Sequence, residues 1–293
     1  MKKSHFTIAA GLCAAVAATS WAACPNHAER SIAATSAQGI NRVVIRAGAG
    51  KLIVRGTDAN SISAKGEACA DRDADLERMQ LNSRREGDTL VIESAVDGTS
   101  WHWWGGGNAW LDTEVTVPRS IAVDIDDGSG DMEVSGTGTV KIEDGSGSTR
   151  VSDVQGNVTI RDGSGDLQVD QVRGDVSIND ESGDIRVNRV EGSLSIPDDG
   201  SGSITAEDVA GDVRIQNDGS GEIEISKVQR SVFIGDDGSG EIQIANVHGN
   251  VDIDSDGSGG IDVKDVDGDF RVGADGSGGV HHERVRGSVH IPN

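Results

Sequence analysis

Nine aspartates are the most regularly spaced ionisable residues of the chain, and their type and spacing allow two kinds of chemistry. Carboxylate oxygens are ligands that Ca²⁺ prefers, so successive aspartates could bridge Ca²⁺ ions. The same oxygens could instead accept hydrogen bonds from main-chain N–H groups of the turn that follows, as in an Asx turn. The sequence leaves both alternatives open and predicts no other cofactor. Each aspartate lies two positions before the Ser of a Ser-Gly pair: Asp127, Asp144, Asp162, Asp180, Asp199, Asp218, Asp237, Asp256 and Asp275.

The spacing of these aspartates indicates how the chain must hold them. Successive Ser-Gly pairs are separated by 17 to 19 residues, and a fixed period of this size predicts stacked structural repeats. At the usual strand separation of about 4.8 Å, neighbouring carboxylates would repel each other by about 0.9 kcal/mol in a medium with the dielectric constant of water. A stacked arrangement therefore needs main-chain donors or cations that offset the repulsion.

Aliphatic residues recur at five fixed positions of each repeat and predict two short strands. In one copy they are Ile185, Val187, Val190, Leu194 and Ile196. The first two and the last two alternate with polar residues, which is the period of a strand with one buried face. Like residues at a constant period favour a parallel β-helix, in which they stack, over an antiparallel meander, which needs only the turns.

The sequence thus predicts an all-β chain that forms a single-stranded parallel β-helix, or β-solenoid. We expect about nine regular coils of 17–19 residues and an irregular β N-terminal cap. The predicted division is a signal peptide at residues 1–22, an irregular β region with a Trp-Gly-rich loop at residues 23–125, and the regular repeats at residues 126–293.

The first 22 residues have the features of a secretory signal. Lys2 and Lys3 precede an apolar, Ala-rich run, and Ser20-Trp21-Ala22 offers a cleavage site between small residues. Export would place the protein in the periplasm or at the cell surface, where Cys24 and Cys69 could form a disulfide bond. Lipidation of Cys24 is the alternative, and it would exclude that bond. The N-terminal apolar run is too short to span a membrane as a helix, and no other stretch is long enough.

Four of the five tryptophans lie within ten residues and are candidate partner-binding residues. Trp101, Trp103, Trp104 and Trp110 surround a run of three glycines. One interpretation is a loop folded over the flank of the solenoid to shield its core. The other is an exposed aromatic patch for a glycan, a protein partner or a membrane surface.

The charge distribution excludes some classes of partner. The formal net charge is −23, and residues 126–293 contain 35 acidic and 13 basic residues. So acidic a surface disfavours nucleic acid and anionic lipid. The sequence contains no evident nucleophile with a base and an orienting group, and no phosphate-binding loop, so we expect that the protein is not an enzyme.

Three motifs of the mature chain resemble those of a family of exported bacterial domains of unknown function, many of them labelled adhesins, with a β-solenoid fold. They are Gly-x-Gly-x-Leu-x-Val at residues 48–54, the segment at residues 88–92, and Val-Thr-Val-Pro at residues 115–118, followed by Ser-Gly-Asp-x-x-Val repeats. The resemblance implies an adhesin-like or interaction scaffold that binds a protein or a glycan. A Ca²⁺-stabilised structural protein of the envelope and a carbohydrate-binding or carbohydrate-active β-helix are the alternatives.

Overall fold

The computed structural model describes residues 24–96 and 109–292, and these residues form two long β-sheets. Each sheet contains 13 strands, and strands account for 67% of the structure. Successive strands of the repeat region alternate between the two sheets. Sheet A contains the strand Ile185–Val190 and its counterparts in the other coils, and sheet B contains the strand Leu194–Asp199 and its counterparts. The predicted all-β parallel solenoid of about nine coils is confirmed.

The N-terminal part contains nine strands and one short helix among the described residues. They are β1 (Asn26–Ser36), β2 (Arg42–Ala49), β3 (Leu52–Thr57), β4 (Ser61–Ala70), α1 (Asp73–Arg78), β5 (Met79–Glu86), β6 (Thr89–Val96), β7 (Ala109–Pro118), β8 (Ala122–Ser129) and β9 (Met132–Ser135). The predicted boundary between residues 125 and 126 lies within β8 and stays a prediction.

The repeat region continues with 17 short strands. They are β10 (Val140–Asp144), β11 (Thr149–Val154), β12 (Val158–Asp162), β13 (Leu167–Val172), β14 (Val176–Asp180), β15 (Ile185–Val190), β16 (Leu194–Asp199), β17 (Ile204–Val209), β18 (Val213–Asp218), β19 (Ile223–Val228), β20 (Val232–Asp237), β21 (Ile242–Val247), β22 (Val251–Asp256), β23 (Gly259–Val266), β24 (Phe270–Asp275), β25 (Gly278–Val285) and β26 (Val289–His290).

Like residues lie over like residues throughout the repeats. In sheet B, Val158 pairs with Val176 and Ile160 pairs with Ile178 in parallel register. The aliphatic rows point inward and form one hydrophobic core, in which most side chains are less than 3% exposed. The β-branched residues that fill these rows pack well on pleated, buried surfaces, which explains why the sequence selects strands here.

Two main-chain features set the corners of each coil. The Gly of each Ser-Gly pair has a positive φ, and at Gly202 a Cβ would lie 1.9 Å from a carbonyl oxygen of the preceding coil. Only glycine allows coils to approach this closely. At the other corner, one residue per coil adopts the left-handed conformation. It is Gly136 in the first coil, and in each of the next eight it is a residue other than glycine that precedes a Val: Asp153, Gln171, Arg189, Asp208, Lys227, Asn246, Asp265 and Arg284.

The N-terminal region also forms coils, but their order in the stack differs from their order in the sequence. Strands β2 and β3 pair in parallel with β8 and β9 on one side and with β6 and β7 on the other. Strands β1, β4 and β5 pair antiparallel with their neighbours, and α1 packs against them. The irregular N-terminal strands are therefore confirmed, and they close one end of the solenoid.

Candidate functional site

The nine aspartates form one continuous column, which we call the aspartate seam: Asp127, Asp144, Asp162, Asp180, Asp199, Asp218, Asp237, Asp256 and Asp275. Each lies on a strand of sheet B, directly before the turn that leads to sheet A. Parallel pairing brings every member opposite the next, from Asp127 with Asp144 through to Asp256 with Asp275. The stacking that the sequence indicated is thus present along the whole repeat region.

The strands direct the seam carboxylates into the interior. In β12, Asp162 follows Val158 and Ile160 at alternate positions and so shares their inward face. From β16 to β24 each strand of sheet B is one residue longer than β14, and an irregular step in the pairing of β14 with β16 keeps Asp199 opposite Asp180. Eight of the nine aspartates are only 2–7% exposed, the exception being Asp275, which is half-buried.

The first four seam aspartates accept hydrogen bonds from the turn that follows them. Asp127 accepts one from the N–H of Gly128 at 2.9 Å. Asp144 accepts one from the N–H of Ser146 at 3.2 Å and another from the Thr149 hydroxyl at 3.0 Å. Equivalent bonds at 3.3 Å join Asp162 and Asp180 to the Ser two residues later. These contacts are those of the Asx-type turn that the sequence suggested.

The next four members lack such contacts. Neither carboxylate oxygen of Asp199, Asp218, Asp237 or Asp256 has a hydrogen-bond partner of normal geometry. The nearby main-chain N–H groups of the turn still favour the ionised form of these carboxylates, but more weakly than a well-aligned bond would. None of the ion pairs found among the described residues includes a seam aspartate. The negative charge of the seam therefore has no partner cation on the described part of the chain.

Burial and mutual repulsion raise the pKa of the seam carboxyls. Burial is the larger cause, and it raises the pKa of Asp162 and Asp237 to about 7, with the neighbouring carboxylates adding to the effect. The pKa of Asp127 also rises to about 7, and those of Asp180, Asp199 and Asp218 rise to about 6. The pKa values of Asp144 and Asp256 are raised for the same main reason. The seam carboxyls can thus bind protons near neutral pH.

The other predicted site residues lie away from the seam. Cys24 and Cys69 form a disulfide bond with a Cα–Cα distance of 6.0 Å. Trp110 is half-buried near the start of β7, where it pairs with Cys69 of β4. Trp101, Trp103, Trp104 and the signal sequence at residues 1–22 lie outside the described residues, so the tryptophan patch stays a prediction.

A second polar column escaped the sequence analysis. The residue directly before each strand of sheet B from β12 to β24 is Asn, Asp or Ser, and its side chain accepts a hydrogen bond from the main-chain N–H of the same position in the next coil. The acceptors are Asn157, Asp175, Ser193, Asp212, Ser231, Asn250 and Asp269, at 2.7–3.2 Å. The recurrence of Asn, Asp or Ser at this position of the repeat could have indicated the column from the sequence. These bonds link successive coils and have a structural role.

The described residues contain no group of three or more His, Cys, Asp or Glu side chains arranged to hold one metal ion. Within the same residues, no helix is both long and apolar enough to cross a membrane. Any cation that enters the seam would therefore lie between two stacked carboxylates, with main-chain oxygens or water as further ligands.

Comparisons with known proteins point to one family. A family model described as Toastrack DUF4097 matches residues 40–293. A "putative cell adhesion protein" from Clostridium sporogenes is 12% identical, with a TM-score of 0.34, over 79% of this chain and 100% of that one. A "putative adhesin" from Bacteroides fragilis is 12% identical, with a TM-score of 0.36, over 91% and 97%. A "putative lipid binding protein" from Parabacteroides distasonis is 16% identical, with a TM-score of 0.34, over 92% and 98%. A search of curated proteins found no match.

Proposed function

Because the chain belongs to the Toastrack DUF4097 family, we propose that it is an exported, non-enzymatic scaffold that binds other molecules along the outside of its solenoid, as an adhesin does. The observation that carries this proposal is the repetition of outward positions on two stiff sheets of 13 strands. Each outward row presents a side chain about every 4.8 Å. Such an array suits several weak contacts made at once with an extended partner.

The accessibility of the reactive groups supports a non-enzymatic role. Cys24 and Cys69 are bonded to each other, so neither thiol is available as a nucleophile. The seam carboxyls have pKa values suited to acid–base chemistry, but eight of them are at most 7% exposed. A substrate could not reach these eight carboxyls without opening the coils.

The disulfide bond supports export. Disulfide bonds persist in oxidising compartments such as the periplasm or the cell surface, and they are rare in the cytosol. The bond joins the start of the described chain to β4, which is the arrangement expected after removal of a signal peptide at residues 1–22. It also uses Cys24, the residue that lipidation would need.

The outer face of sheet A is the most suitable contact surface for a protein or a glycan. Arg150 and Arg186 lie two coils apart on exposed positions of β11 and β15, with Gln168 between them. Arg150 donates to the Gln168 side chain at 2.7 and 3.0 Å, and Arg186 pairs with Asp184 at 2.7 Å, so both guanidinium groups are held on this face. Guanidinium groups bind carboxylates and stack on sugar or aromatic rings, so these arginines are good anchors on an otherwise acidic rod.

Binding assays with face-specific variants test the proposal. The mature protein, immobilised in folded form, would be presented with a glycan array and with intact bacterial and host cells. The double variant Arg150→Ala/Arg186→Ala should lower binding at least tenfold, because it removes two anchors from one face. The matched control is Arg161→Ala/Arg214→Ala, which removes two exposed arginines from sheet B. Failure of the wild-type protein to bind any of these surfaces would contradict the scaffold role.

The tryptophan patch gives a separate test of a carbohydrate-binding role. A Trp103→Ala/Trp104→Ala variant should lose glycan binding if the loop forms an aromatic platform. Glycan binding that is unchanged in this variant would assign the contact to the sheets instead.

A further inference from the structure

The middle and C-terminal part of the aspartate seam contains buried negative charge that the described protein does not neutralise. Asp199, Asp218, Asp237 and Asp256 are only 2–4% exposed, and none of their carboxylate oxygens has a hydrogen-bond partner of normal geometry. The carboxyl of Asp237 lies within reach of those of Asp218 and Asp256, so the nearest polar side chains are themselves acidic. An isolated buried carboxylate is strongly unfavourable, so native structures pair such groups or let them bind metal ions. These four consecutive residues thus mark a place where positive charge must come from solution.

The groups that face the seam increase the need for that charge. The charged neighbours that act on it are acidic: Asp126 acts on Asp127, Glu181 on Asp180, and Asp184 on Asp199. From the opposite sheet, the neutral hydroxyl of Thr149 bonds Asp144, and the same row carries Ile204, Ile223 and Ile242 in the later coils. Each of the four aspartates also has the carboxylate of one seam aspartate above it and of another below it.

The chemistry and spacing of the seam select among possible cations. Every side-chain donor is a carboxylate oxygen, which suits hard cations such as Ca²⁺ and Mg²⁺. Parallel strands lie about 4.8 Å apart, so an ion midway between two stacked carboxylates would be about 2.4 Å from each. That distance fits Ca²⁺–oxygen bonds of about 2.3–2.6 Å, whereas Mg²⁺ needs about 2.0–2.1 Å and a strict octahedron.

We propose that the aspartate seam binds Ca²⁺ ions between the carboxylates of successive coils, chiefly from Asp199 to Asp256. Each ion joins one coil to the next, so the seam becomes a column of cross-links along the solenoid. This proposal stands apart from the adhesin-like role, because the seam faces the interior and leaves the outer faces unchanged.

Ca²⁺ and protons must compete for the same oxygens. A metal site requires ionised carboxylates, and its affinity therefore falls as they are protonated. Binding of Ca²⁺ should be strong at slightly alkaline pH and at least tenfold weaker in mild acid.

Titration calorimetry and thermal unfolding of the chelator-treated protein test the proposal. At slightly alkaline pH, CaCl₂ should bind with a stoichiometry above one per chain and should raise Tm by several degrees, and MgCl₂ should have a smaller effect. The Asp218→Asn/Asp237→Asn variant should bind fewer ions and show a smaller rise in Tm. Asp236→Asn is the matched control, since Asp236 is exposed and lies directly beside Asp237.

Several results would overturn the proposal. If millimolar Ca²⁺ gives neither heat nor a rise in Tm while acid stabilises the protein, protons alone neutralise the seam. If Asp236→Asn weakens Ca²⁺ binding as much as the double variant does, the ions bind at the surface. Even if the double variant does not fold, the heat of binding and the rise in Tm that Ca²⁺ and Mg²⁺ give with the wild-type protein at both pH values test the proposal.

Discussion

Without divalent cations, the protein should be more stable in mild acid than at alkaline pH, and Asp218 provides a direct test. Burial, and after it the Asp199 carboxylate, raises the pKa of Asp218 from 3.8 to about 6. A carboxyl with a raised pKa in the folded state stabilises the fold only while it is protonated. Its contribution is complete below about pH 4 and is lost as the pH rises through about 6.

The size of the effect follows from this difference in pKa. Ionising a carboxyl whose pKa rises from 3.8 to about 6 lowers the free energy of unfolding by about 3 kcal/mol. Asp218→Asn keeps the shape of the side chain but cannot ionise. The variant should therefore exceed the wild type by about 3 kcal/mol at about pH 8, and should match it within about 1 kcal/mol at about pH 4. For a chain of this length, that gain corresponds to a rise in Tm of about 6 °C.

Thermal unfolding followed by circular dichroism, in the presence of a chelator, measures these differences. Asp236→Asn is again the control, because it removes an exposed carboxylate beside Asp237 and should shift Tm little at either pH. The reasoning would be refuted by an Asp218→Asn variant that is no more stable than the wild type at alkaline pH. A gain of equal size at both pH values would also refute it.

Three further changes test the contacts between coils and the closure of the cap. Gly202→Ala would place a Cβ 1.9 Å from a carbonyl oxygen and should cost about 3 kcal/mol or more, whereas Gly260→Ala, with its nearest atom at 4.0 Å, should be nearly neutral in thermal unfolding. Replacing both Cys24 and Cys69 by Ser opens a bond across 45 residues and should cost about 3 to 4 kcal/mol, measured with and without reductant. Asp175→Ala removes the acceptor of a 2.8 Å bond from the next coil and should cost about 1 kcal/mol, with faster exchange of that amide hydrogen.

The repeat region could be predicted from the sequence because one rule acts in every coil. Rows such as Ile185 and Ile204 recur at the same position of successive coils, and only parallel stacking places all of them inside together. The Gly-x-Gly-x-Leu-x-Val motif at residues 48–54 belongs to the same stack, since Leu52 and Val54 pair with Met132 and Val134 of β9. Periodicity therefore identified the fold even where the repeat is degenerate.

Other features could not be predicted, for distinct physical reasons. Burial of the seam could have been expected from period two, which puts Asp162 on the inward face with Val158 and Ile160, but an aspartate is rarely buried without a partner and so reads as a turn residue. The left-handed residues escaped notice because Arg189 and Lys227 are not types that favour this conformation. The position of β2 and β3 between later strands depends on long-range pairing, which local pattern does not encode.

The constant register also determines how the length of such a rod can change. Each coil receives main-chain hydrogen bonds from one neighbour and offers the same set to the other, as the chain of bonds from Gly202 to Ser220 and from Gly221 to Ser239 illustrates. Duplicating or deleting one complete coil would therefore recreate identical junctions. Loss of a single residue inside a strand would instead require a local irregularity, as between β14 and β16, to keep the inward side chains inside. The solenoid can thus lengthen by duplication of a complete coil, or shorten by deletion of one.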